Sequence, residues 1–74
     1  MTRSEITAQI GQNLRRARKR KHLTQQDISD RTGISRTVIG KYETGDVEIG
    51  VTNLFAVCEA IGCDPRTVLG EPIK

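Results

Sequence analysis

The side chains able to do chemistry in this chain are hydrogen-bond donors and cations gathered between Arg36 and Thr44, and what surrounds them argues against catalysis. His22 is the only histidine, and the chain has no clustered carboxylates and no glycine-rich phosphate loop. A chain this short also leaves little room for a ~300 Å³ substrate pocket. Cys58 and Cys63 form a lone C-x4-C pair, and with one histidine a four-ligand zinc site would need a carboxylate or a second chain. In a cytosolic chain two such cysteines are expected as reduced thiols, Cys58 in the core and Cys63 just past a helix end. No enzyme activity, metal or cofactor is expected. What remains suits recognition. Arg36 can present two donors to a guanine edge, Thr37 can hydrogen-bond or lay its methyl against thymine, and Lys41 lies one turn on along the same face. Gly40 sits among them, where glycine costs ~1 kcal/mol relative to alanine. It either lets backbone approach bases closely or is a tolerated weak spot.

Two short helices must hold this face. Thr24 is an N-cap with Asp27 three residues on, so one helix reads from Gln25 to about Thr32 and stops at Gly33. Ile34 is an apolar plug, Ser35 caps again, and a second helix reads from Arg36 to about Thr44, closed by Gly45. Ile28, Ile34, Val38, Ile39 and Tyr42 are the inward candidates. Arg36, Thr37, Gly40, Lys41 and Thr44 are left on the outer face, a shape suited to a DNA major groove.

The rest of the chain reads as support. Thr2 with Glu5 has capping-box spacing, and Ile6, Ile10, Leu14 and Ala17 form the apolar stripe of a first helix ending near Lys21 or His22. A fourth helix runs from Val51 or Thr52 to Ile61, with Val51, Leu54, Phe55, Cys58 and Ile61 expected on its buried face. Asp64 and Pro65 open a last short helix stopped by Gly70. Val68 and Leu69 offer either a lid for the core or half of a dimer seam, and residues 71–74 are expected to be a flexible tail. The expectation is an all-α chain of five short helices, one domain over residues 1–74 with its core at about 6–70.

Six of the twelve basic residues fall within Arg15 to Lys21. A basic run alone fits a solvated face as well as a nucleic-acid partner; the adjoining motif favours the latter. No apolar run approaches the ~18 residues that cross a membrane. MTRSEITAQ also lacks the apolar core of a signal peptide, so a cytoplasmic protein without a membrane partner is expected.

Gln25 to Tyr42, together with the flanking segments IGQNLRRARKRKHLTQ and NLFAVCEAIGCDPRTVLG, resembles the Cro and lambda-repressor-like (XRE-type) helix-turn-helix family. That resemblance implies a compact five-helix domain binding double-stranded DNA, with Gln25 as a phosphate clamp helped by Thr24, Ser35, Arg18 and Thr44. It also implies an ion pair between Arg18 and Glu43. The loop after Gly45 departs from the pattern, since Asp46 and Glu48 stand where relatives often carry cations; the amides of Gly50 and Val51 could serve phosphate instead. The family further implies a homodimer on a near-palindrome with half-sites ~34 Å apart. The leading expectation is therefore a bacterial or phage transcriptional regulator, a repressor, with no small-molecule ligand. The alternative is the same scaffold used to bind a partner protein, as an antitoxin or anti-repressor partner would.

Overall fold

The computed structural model describes residues 1–70; the tail expected at 71–74 lies outside the described residues. These described residues form five helices: α1 (Arg3–Arg20), α2 (Gln25–Thr32), α3 (Arg36–Thr44), α4 (Val51–Ile61) and α5 (Pro65–Leu69). No helix among the described residues is long and apolar enough to cross a membrane.

Local chemistry sets most of these boundaries. At α1 the Glu5 amide donates to Thr2 Oγ1 (3.1 Å) and the Thr2 amide donates to Glu5 Oε1 (2.9 Å). The Thr24–Asp27 pair repeats this capping box at α2 with bonds of 3.0 and 2.8 Å. The backbone and side-chain bonds from the capping threonine hold each carboxyl below its ordinary value. Ser35 Oγ accepts the Val38 amide at the start of α3, and the Asp64 carboxylate accepts the Arg66 amide at α5. Gly33 and Gly45 end α2 and α3 at φ 78° and 83°, a conformation that costs other residues energy. α1 ends differently: Lys21 is its cap and His22 takes φ 58°, turning the chain so that Leu23 points inward.

α1 packs on α3, α4 and α5, while α2 packs on α3 and α4. Leu14, Ile28, Ile39, Leu54, Val57, Cys58, Ile61 and Val68 form the buried cluster, with Ile10, Ala17, Leu23, Ile34 and Cys63 against it. Val68 is thus a lid on the core, and Leu69 beside it is exposed. Burial, with Cys63 as neighbour, pushes the Cys58 thiol up to about 12. Side-chain bonds also reach from helix to helix. Asn13 donates to the Val68 carbonyl, Arg31 to the Ala60 carbonyl and Asn53 to the Tyr42 hydroxyl, at 3.0, 2.8 and 2.9 Å.

The expected face of α4 needs correction. Val51 and Phe55 are 72% and 56% exposed, whereas Val57 is buried beside Leu54, Cys58 and Ile61. Positions 51, 54, 55, 58 and positions 54, 57, 58, 61 both satisfy helical spacing, so periodicity could not choose between the two stripes. Packing against α2 and α5 chooses the second. Ile6 is likewise 45% exposed, because the apolar stripe of α1 meets partners only from Ile10 onward.

Gly11 marks the closest approach between α1 and α3. A Cβ there would lie 2.8 Å from the Glu43 carbonyl oxygen and closer still to that of Tyr42. Both obstacles are backbone and cannot swing aside. Gly11→Ala is expected to force the helices apart and to destabilise the fold by ~1 to 3 kcal/mol in a urea titration, despite alanine's better helix propensity. An unchanged midpoint would show that the helices do not meet there.

Candidate nucleic-acid interface

The interface begins with a charge inside the protein. Arg18 and Glu43 are each only 7% exposed. Arg18 Nε and Nη2 donate to the two oxygens of Glu43 at 2.7 and 2.9 Å, and Nη1 donates to the Leu23 carbonyl at 2.8 Å. The expected ion pair is therefore present, a two-pronged contact joining α1 to the last turn of α3. The hydrogen bond to Glu43 raises the Arg18 guanidinium further above its ordinary value, so it stays charged. Arg18 was also expected at phosphate, and it lines the open cleft between α1 and the end of α3. Three of its five N–H groups are spent inside the fold and its side chain is 9% exposed, so most of the guanidinium is committed to Glu43 and Leu23.

Glu43 accepts a third hydrogen bond that the sequence did not reveal. Gln25 Nε2 donates to Glu43 Oε1 at 3.0 Å, linking the first residue of α2 to the buried pair. This bond orients the Gln25 amide and leaves one of its N–H groups unspent. The residues are eighteen apart on different helices. Only knowledge of how α2 crosses α3 could have paired them.

Around this anchor lie the other expected contacts. Arg36, Thr37 and Lys41 are exposed on the outer edge of α3, and among the described residues none of their side chains has an ion-pair partner. Gly40 is half-buried between them; a Cβ there would meet the Gln25 amide at 3.6 Å or more, an ordinary contact. Internal packing therefore does not require glycine at that place. Thr24 and Ser35 are exposed and use their oxygens as cap acceptors, which leaves each hydroxyl proton free to donate outward. Thr44 is exposed but donates to the Lys41 carbonyl at 3.2 Å, so it would have to release that bond to serve a phosphate. In the acidic loop Glu48 pairs with Arg3 at 3.3 Å, with both side chains largely in solvent. Such a pair contributes little.

An open cleft of about 510 Å³ separates α1 from the end of α3, lined by Ala8, Gln12, Arg15, Arg18, Gln25, Glu43 and Thr44. Its floor is the Arg18–Glu43–Gln25 network. Gln12 was not singled out from the sequence, although it lies three residues before Arg15 and so shares its helical face.

Two short helices at a capped turn, with the inner side of the second locked to a supporting helix and its outer side free, define a helix-turn-helix unit. Residues 14–68 match the helix-turn-helix family model, and the chain belongs to that family, in its Cro and lambda-repressor-like (XRE-type) branch. It is 33% identical over 60 residues to the HTH-type transcriptional regulator DicA of Escherichia coli (strain K12); the match covers 81% of this chain but 44% of DicA. The structure is similar to the crystal structure of the restriction-modification controller protein C.AhdI from Aeromonas hydrophila. The TM-score is 0.80 at 27% identity, covering 84% of this chain and 94% of that one.

The buried network predicts a non-additive mutational pattern. Arg18→Met leaves the Glu43 carboxylate unpaired, and Glu43→Leu leaves the guanidinium unpaired, so each is expected to cost ~3 to 5 kcal/mol. The double variant Arg18→Met with Glu43→Leu removes both charges and should recover most of that loss in urea denaturation. Additive losses would show that packing volume, rather than charge pairing, dominates the site.

Proposed function

We propose that this protein is a sequence-specific DNA-binding transcriptional regulator, a repressor that places α3 in the major groove of a near-palindromic operator as a homodimer. The observation that carries this reading is the division of α3. Ile39, Tyr42 and Glu43 are consumed by the interior, while Arg36, Thr37 and Lys41 project together into solvent. Surfaces of that kind fit a groove edge rich in donors and acceptors. DicA, by its name a transcriptional regulator, and the controller protein C.AhdI support the same class of function.

In this reading positioning and discrimination are separate tasks. The unspent amide proton of Gln25, the hydroxyls of Thr24 and Ser35 and the amides that open α2 take phosphate oxygens, which fixes register without reading sequence. Arg36 takes a guanine edge, and Thr37 and Lys41 complete the readout one turn along. The homodimer is supported by the outer side of α4, where Val51 and Phe55 are exposed one turn apart and Phe55 shares a groove with Pro65 at the start of α5. Exposed apolar side chains so placed suit a seam between two copies.

Selection of bound duplexes from a random-sequence pool at physiological salt tests the proposal. Enrichment of a two-fold near-palindrome with half-sites about one helical turn apart is expected. On the enriched duplex, Arg36→Ala should lose ~1 to 3 kcal/mol of binding and relax preference at one base pair per half-site. Enrichment of a single unrepeated site would remove the homodimer. No enrichment by a folded protein would remove base reading and favour a protein partner at the Asp46 to Glu48 loop.

A further inference from the structure

α1 carries more charge of one sign than its packing uses. Within Arg3–Arg20 the single carboxylate is Glu5, which is committed to the capping box, while Arg15, Arg16 and Lys19 stand exposed toward the other end. Among the described residues none of these three cations has an ion-pair partner. Arg15 and Lys19 lie at i and i+4, a spacing at which like charges repel. The helix tolerates that repulsion without any internal anion to relieve it.

Position adds a second observation. Gln12, Arg15, Arg16 and Lys19 follow an i, i+3, i+4, i+7 pattern and line one shallow hollow on α1. Gln12 and Arg15 are also walls of the neighbouring cleft that reaches Gln25 and Thr44. The two depressions therefore share a wall and run from the end of α3 onto α1. Among the described residues Glu43 is the only carboxylate lining either, and it is already held by Arg18 and Gln25.

We infer that this face of α1 is a backbone track on which a phosphodiester strand passes from Gln25 across Gln12 and Arg15 toward Lys19. The inference rests on the DNA-binding reading above and extends the contact surface to a helix outside the helix-turn-helix pair. Arg15 is its anchor, because it stands at the junction of the two depressions and its guanidinium can hold a phosphate through two parallel bonds. Gln12 adds an amide donor beside it. The track carries no base information, so it raises affinity on every sequence alike.

Anisotropy titrations of one labelled duplex over a series of KCl concentrations test this with two variants that remove the same charge. Arg15 lies in the proposed track, whereas Arg20 lines a different hollow, which meets the track at Arg16 and opens toward α5 with Asn13, Ala17 and Thr67. Both side chains are exposed, so circular dichroism should show an unchanged fold in Arg15→Gln and Arg20→Gln. Arg15→Gln is expected to make the plot of log affinity against log salt shallower by ~0.9 and to weaken binding roughly five- to tenfold at low salt, with the ranking of duplexes preserved. Arg20→Gln should change affinity less than about twofold, since it alters only the distant field. Equal effects of the two variants, or an unchanged slope in Arg15→Gln while the parent protein binds, would overturn the track alone. Failure of the parent protein to bind any duplex would overturn the DNA-binding reading, and the track with it.

Discussion

The architecture depends on one buried ion pair. Arg18 reaches from α1 to Glu43 in the last turn of α3, and the two charges are satisfied by each other, by the Leu23 carbonyl and by the Gln25 amide. Removing two charges from water is expensive, and a well-packed apolar pair would serve stability as well or better. What the ion pair adds is direction, because a two-pronged bond has one good geometry where an apolar contact has many. It fixes how α3 rotates about its axis, and so which side chains face solvent. It also reaches Gln25, so the same carboxylate that seats α3 orients the first residue of α2.

That constraint matters because α2 and α3 are too short to be stable alone. Their caps define where they start and stop, but tertiary contacts must set how they lie. Ile28 and Ile39 are buried in the common core, and Gly11 lets the α1 backbone approach the end of α3 closely. The exposed edge of α3 is then the part the fold does not use. A rigid support beneath a short donor-rich helix is how a small chain can hold the backbone that carries Arg36, Thr37 and Lys41 in one orientation.

How much of this could be read from the sequence follows the range of each interaction. The capping pairs Thr2–Glu5 and Thr24–Asp27, the stops at Gly33 and Gly45 and the proline start of α5 were legible, since each is decided within a few residues. The Arg18–Glu43 pair was legible through family resemblance, as nothing local joins positions twenty-five apart. The buried side of α4 was misread because Val51 and Phe55 continue the helical spacing as well as Val57 does. The need for glycine at position 11 and the bond from Gln25 to Glu43 were invisible for a common reason: both depend on the distance between helices.

Under the proposed function, the edge of α3 beside the Arg18–Glu43–Gln25 network is the surface that meets DNA. This is tested most directly by adding duplex DNA to ¹⁵N-labelled protein and following every backbone amide and the Gln25 side-chain amide by NMR. The largest shifts are expected at Thr24 to Gln26 and Ser35 to Lys41, together with the Gln25 side chain. Shifts concentrated instead on α4 and α5, with α3 unmoved, would contradict it.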